Sequence, residues 1–134
     1  MIGKLPTPKP RKRLPERETV MLLLRQGDEI LLEKRPSVGI WGGLWSLPEV
    51  EHGTDIRQFA REHFGLDVEL LPRLAQLSHT FTHFRLHIAP QPLKVVGRRP
   101  LLQEPGTAWL GLDDAVGAAL PTPVRTLIQW LKGT

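Results

Sequence analysis

A chain of 134 residues, 40% of them hydrophobic, is long enough for one domain built around one ordinary core and too short for a second. The complete absence of Cys excludes disulfides, thiolate metal sites and iron–sulfur ligation within it. The longest aliphatic run, Val20 to Leu24, is far too short to cross a bilayer, and no apolar segment follows the basic N-terminal residues, so a cytoplasmic protein without membrane association is expected.

The formal charge of +4 is unevenly placed. Residues 1–17 carry six Lys or Arg against one acid, Glu16, which leaves the remainder near neutral. Pro6, Pro8, Pro10 and Pro15 favour an extended polyproline-type conformation over the same stretch. Residues 1–17 are therefore read as a basic interdomain linker and 18–134 as the folded domain, with Lys9, Arg11, Lys12 and Arg13 as candidate phosphate contacts. A domain that opens with a linker implies a longer parent protein.

From Glu18, two apolar runs flank Gly27-Asp28, a pair suited to a two-residue hairpin turn. Ile56, Phe59, Ala60 and His63 then recur at helical spacing, with Thr54 as N-cap and Gly65 as stop. The segments 73–90 and 93–96 read as further strands, kept apart by Pro90 and Pro92, which a central strand would not tolerate. At the C-terminal end Thr122 caps and Pro123 opens a helix whose apolar stripe is Val124, Leu127, Ile128 and Leu131. The fold class is α+β, a mixed sheet flanked by helices.

Three histidines, His79, His83 and His87, stand four apart in "LSHTFTHFRLHI". That spacing places them on one face of a helix or of a strand alike. The Thr and Phe content and the alternation of Phe84, Leu86 and Ile88 favour strands flanking a turn at Thr80 to His83 over a metal-binding helix. On this reading His87 and His79 are solvated strand positions, and no metal site is assigned. Trp41 and Trp45 are read as core or lid aromatics, Gly42 and Gly43 as residues permitting a sharp loop, and Arg98 and Arg99 as solvated loop charges.

Counting from Gly43, Glu49 follows after five residues and Arg57 after seven more, the opening of the Nudix box G-x5-E-x7-R-E-U-x-E-E-x-G-U. The chain thus resembles the Nudix hydrolases, in which glutamates of the R-E-U-x-E-E segment hold the divalent cations. At those three places this sequence has Gln58, Arg61 and Glu62, and its glycine, Gly65, comes one place late. One carboxylate beside a cation does not form the oxygen cage Mg²⁺ requires, so the resemblance implies the fold without its usual chemistry.

A closer resemblance is carried by "LPER" at 14–17, "RPSVGIWGGLW" at 35–45, "HTFTHFRLHIAP" at 79–90 and "LPTPVRTLI" at 120–128. Together they are similar to the C-terminal Nudix-like domain of MutY-type adenine DNA glycosylases and cover nearly the whole chain. The resemblance implies a lesion-recognition domain without catalytic residues. Its partners would be double-stranded DNA bearing 8-oxoguanine opposite adenine and the catalytic domain of the same protein, the parent acting as a monomer. That other domain would carry the glycosylase acid and a 4Fe–4S cluster. It also implies that Phe81, Thr82 and His83, with Thr80 beside them, form the loop that contacts the lesion. Thr82 stands where the family has Ser, which keeps the hydroxyl and adds a methyl. Two alternatives stay open at this point: a pyrophosphohydrolase acting on oxidised nucleotides, and a domain that only docks on proteins.

Overall fold

The computed structural model describes residues 14–99 and 106–133, so Lys9, Arg11, Lys12 and Arg13 lie outside the described residues. The expected hairpin joins β1 (Glu16–Gln26) to β2 (Glu29–Lys34) through Gly27, whose φ of 58° a glycine adopts without cost. β1 starts two residues inside the expected linker, because Glu16 and Arg17 already pair with a later strand. Two short strands follow, β3 (Trp45–Ser46) on β2 and β4 (Glu49–Val50) on β1, before α1 (Ile56–Phe64).

Gly65 ends α1 in the left-handed conformation, with its N–H donating to the carbonyls of Ala60 and Arg61, as expected. The N-cap is Asp55 rather than Thr54: the Asp55 carboxylate accepts from the Gln58 N–H at 3.2 Å. His63 also departs from the expected buried face, since it is exposed and stacks on Phe59 with ring centroids 4.0 Å apart.

After β5 (Leu66–Leu70) and β6 (Leu77–Thr80), β7 runs unbroken from Arg85 to Arg98. It is central, parallel to β1 on one side and antiparallel to β5 and β6 on the other. The expected break at Pro90 and Pro92 is therefore wrong, and the ladder shows why. β6 pairing stops at Ile88 and β5 pairing starts at Leu93, so both prolines face the gap between these two strands, where no ladder requires their missing N–H. Their carbonyls still accept from the N–H groups of Leu74 and Leu71, at 3.2 and 3.1 Å.

β8 (Thr107–Gly111) adds to β2 and leads into the one-turn α2 (Leu112–Val116) and then α3 (Thr122–Lys132). Neither β8 nor α2 is among the elements expected from sequence. Pro121 is the N-cap of α3 and makes no side-chain capping bond, so Thr122 opens the helix rather than capping it. Asp113 and Lys132 join α2 to α3, and that hydrogen bond holds the Asp113 carboxyl below its ordinary range.

The eight described strands form one mixed sheet with helices on both faces, in agreement with the expected class. The buried residues accordingly divide into two clusters rather than the single core expected. Met21 and Leu23 face α2 and α3, meeting Leu127, Ile128 and Leu131, whereas Val20, Leu22 and Leu24 face α1, meeting Ile56 and Ala60. A strand buried on both faces reads as an uninterrupted apolar run, which is what "VMLLL" is. Each such side chain contributes about 1.5–3 kcal/mol on burial.

Candidate nucleic-acid interface

The β6–β7 connection is a tight turn at which Phe81 N–H donates to the Phe84 carbonyl at 2.8 Å. Thr82 and His83 form its tip, and both are exposed. Neither side chain has a hydrogen-bond or ring partner among the described residues, so a hydroxyl and an imidazole stand free at the end of the hairpin. Thr80 lies one step below the tip, where its hydroxyl accepts from Arg85 Nε at 3.3 Å.

What holds the tip is aromatic. Phe81 and Phe84 stack with centroids 4.5 Å apart and 22° between planes. Phe81 also meets His79 at 4.6 Å and Trp41 at 5.2 Å, and the Arg17 guanidinium lies 4.5 Å above the Phe84 ring. Phe84 is buried and Phe81 half-buried, so these rings mount the turn on the core beneath it. In the sequence Arg17 counts only as a leader charge, yet it sits 67 positions from Phe84 and meets it because β1 and β7 are parallel neighbours.

Trp41 reaches the cluster from an unusual backbone position, with φ 54°. The loop that carries it folds tightly: Arg35 N–H donates to Leu44 O at 2.7 Å and Gly43 N–H to Pro36 O at 3.0 Å. A Cβ on Gly42 would stand 2.6 Å from the Ser37 carbonyl oxygen, and Gly43 has φ 77°, so both glycines serve the loop's own folding. Trp41 and Trp45 are both half-buried against the core, as expected of core or lid aromatics.

Behind this cluster a cavity of about 210 Å³ is lined by Arg17, Thr19, Arg35, Trp41, Glu49 and Phe84 among others. Glu49, the first glutamate of the box, is engaged on its floor. It accepts from Thr19 Oγ1 at 2.9 Å and pairs with Arg35 at 2.9 Å.

The three histidines separate. Register pairs Ser78 with His87 and His79 with Leu86, so His79 and His87 lie on opposite faces of the sheet and His83 is in the turn. The shared face expected from their spacing does not form because a turn lies between them. His87 bridges Ser78 Oγ at 2.7 Å and Glu16 Oε1 at 2.6 Å, and His79 packs on Trp41 and Phe81, so neither is merely solvated. Arg98 covers the Trp109 ring at 4.5 Å and Arg99 pairs with Asp67 at 3.5 Å.

On α1 the donor set does not fit a divalent cation. Gln58 donates to Glu62 at 2.8 Å, and Arg61 turns to Asp67 at 3.3 Å, which places a guanidinium where the box has a carboxylate. Among the described residues no cluster of three or more His, Asp or Glu is spaced to hold a metal ion. No helix among them is long and apolar enough to cross a membrane.

Human adenine DNA glycosylase is 27% identical over 147 residues, covering 98% of this chain and 27% of that protein. Adenine DNA glycosylase of Buchnera aphidicola subsp. Baizongia pistaciae is 26% identical over 119 residues, covering 89% of this chain and 34% of that protein. The chain therefore spans about a third or less of the length of these curated relatives. Among solved structures, the C-terminal domain of mouse MUTYH, determined in complex with human PCNA, superposes with a TM-score of 0.72 at 22% identity and covers 87% of each chain, which shows the shared fold. The family model described as NUDIX domain matches residues 19–130, and the chain belongs to that family.

Proposed function

We propose that this domain reads 8-oxoguanine for an adenine DNA glycosylase that removes adenine mispaired with it, in base-excision repair. The supporting observation is the β6–β7 tip: a free hydroxyl and a free imidazole, Thr82 and His83, on an aromatic mount, in a chain similar to adenine DNA glycosylases along nearly all its length.

The chemistry of the lesion suits that tip. Guanine presents N7 as an acceptor in the major groove, whereas 8-oxoguanine carries a hydrogen there and an added oxygen on C8. A hydroxyl accepts and donates at once, so Thr82 takes the N7 hydrogen and keeps its own proton for a neighbouring oxygen. His83 donates to a phosphate or base oxygen. Phe81 has its ring committed to Phe84, Trp41 and His79, so its part is to fix the direction of the turn, with the edge left exposed meeting the stacked bases.

On this reading the catalytic domain and its 4Fe–4S cluster lie in the remainder of the parent protein, consistent with a chain that has no Cys. Lys9, Arg11, Lys12 and Arg13 add contacts to the duplex backbone that position without specifying. Pyrophosphohydrolysis is the weaker reading, because Gln58 and Arg61 replace two carboxylates and Glu49 is paired with Arg35.

The test is a titration of duplexes carrying 8-oxoguanine or guanine opposite a non-cleavable adenine analogue, for this chain and for the chain joined to a glycosylase catalytic domain. Preference for the lesion duplex in the joined protein, reduced by changes at Thr82, is the expected result. Equal affinity for both duplexes in the joined protein would refute the proposal.

A further inference from the structure

Further along β7 from the Thr82–His83 turn, its Pro92 and Leu93 lie near Leu131 at the end of α3. A groove of about 330 Å³ opens there, with Leu23, Pro92 and Leu131 buried at its base and Leu71 and Leu74 forming its wall. It runs into a second opening of about 270 Å³ that adds Lys94. Leu71 is 39% exposed. Apolar side chains left open beside a groove mark a surface that another molecule covers.

The rim is cationic. Arg25 and Lys94 are register partners on β1 and β7, and Arg73 closes the other side. Among the described residues no acid lines either opening. Arg25 donates through Nε to the Gly27 carbonyl at 2.8 Å and Arg73 through Nε to Gln91 Oε1 at 3.0 Å. Each guanidinium is thereby fixed in direction; Arg73 has its terminal amino groups available for a carboxylate, and Arg25 Nη2 already faces the exposed Asp28 carboxylate at 3.9 Å. Two acids flank the rim: Asp28 is 3.9 Å from Arg25 with its side chain 98% exposed, and Glu69 on β5 is the cross-strand register partner of Lys94, so Arg25, Arg73 and Lys94 keep an excess of one positive charge.

We propose that this groove docks a short acidic peptide segment of a partner protein, in which one or two bulky aliphatic or aromatic side chains fill the apolar floor and flanking Asp or Glu meet Arg25, Arg73 and Lys94. Charge selects this occupant. Residues 1–13 of the chain itself carry five Lys or Arg and no acid, and would be repelled by the same rim. The site is independent of the reading turn, since Phe84 and Leu93 are nine residues apart along β7, roughly 30 Å at the rise of an extended strand. DNA at the tip and a peptide in the groove are therefore compatible.

The experiment is selection of a phage-displayed library of random twelve-residue peptides on the intact chain, followed by anisotropy titration of the synthesised winner. The expected consensus has Asp or Glu flanking Leu, Ile, Phe or Trp. Its affinity falls at least tenfold with Arg25→Glu combined with Lys94→Glu, and likewise with Leu71→Asp, while Thr82→Val leaves it unchanged. Lys94 is exposed and Arg25 half-buried, and an unchanged melting temperature separates a docking defect from a folding defect. Three results would overturn the proposal: no enrichment over a control protein of equal charge, a consensus rich in Lys and Arg, or a winner indifferent to all the groove substitutions. Sedimentation provides a further check, because a dimer dissociated by Leu71→Asp would assign the groove to a second copy of the chain instead.

Discussion

Thr82→Val tests the proposed reading of 8-oxoguanine while disturbing the fold little. Thr82 is exposed and its hydroxyl has no partner within the described chain, so its removal leaves no buried group unpaired. Valine keeps the branched β-carbon and the same χ1 stiffness, so the Phe81 to Phe84 bond and the ring stack beneath are retained. The expected change in unfolding free energy is within about 0.5 kcal/mol, as for surface positions generally. Against DNA the loss is one neutral hydrogen bond, about 1 kcal/mol or fivefold in affinity, on the 8-oxoguanine duplex alone. It rises toward 3 kcal/mol, roughly a hundredfold, when the N7 hydrogen is buried without an acceptor. Fluorescence anisotropy at one fixed salt concentration, on paired 8-oxoguanine and guanine duplexes, measures the ratio directly in the chain joined to a catalytic domain. Thr82→Ser should keep the preference. A ratio unmoved by Thr82→Val and by Phe81→Ala would show that the lesion is read elsewhere.

The other expectations rest on different parts of the molecule. Glu49→Ala strips both Thr19 and the largely buried Arg35 of their acceptor and should cost roughly 2 kcal/mol in urea unfolding, with Glu49→Gln recovering part of it. Leu127→Ala opens a cavity in the cluster beneath α3 and should cost about 2–5 kcal/mol by the same measurement. Incubation with 8-oxo-dGTP and Mg²⁺ should release no pyrophosphate above background, and release abolished by Glu62→Gln would restore a hydrolytic function. Replacing Lys9, Arg11, Lys12 and Arg13 by Ala should flatten the dependence of log affinity on log salt by roughly 0.9 for each phosphate no longer neutralised, equally on damaged and undamaged duplexes.

Features set by local chemistry are legible in the sequence. The Gly27-Asp28 turn, the αL stop at Gly65 and the buried stripe of α3 each follow from residues within one or two turns of each other. The misplaced features depend on partners far along the chain. Pro90 and Pro92 read as strand breakers because nothing local reveals that β5 and β6 leave a gap opposite them. α2, at five residues, is too short to show a helical period, and Asp55 and Thr54 are equivalent as caps until the helix geometry chooses between them. The turn at Thr82 and His83 is visible as a motif, whereas its mount is not. Arg17, Trp41 and His79 come from three separate segments and meet only through the parallel pairing of β1 with β7 and the fold of the 35–44 loop.

Glu49, the first glutamate of the box, is tied into the scaffold by contacts of its own. On α1 the carboxylate positions of the box have changed to Gln58 and Arg61, and Glu62 is engaged by Gln58. Glu49 remains, bound to Thr19 on β1 and to Arg35 at the entrance of the loop that carries Trp41. Arg35 in turn donates through Nε to the Ile40 carbonyl within that loop, at 3.3 Å. A chain of polar contacts therefore runs from the sheet through Glu49 and Arg35 to the loop whose Trp41 ring supports Phe81, the first residue of the β6–β7 turn. The Glu49 carboxylate neutralises Arg35, and removing it would leave the half-buried guanidinium without its counter-charge. Disturbance at Glu49 should thus reach Thr82 and His83 through packing, from β4 by way of the 35–44 loop, while Arg17 on the neighbouring β1 covers the Phe84 ring at the base of the same turn.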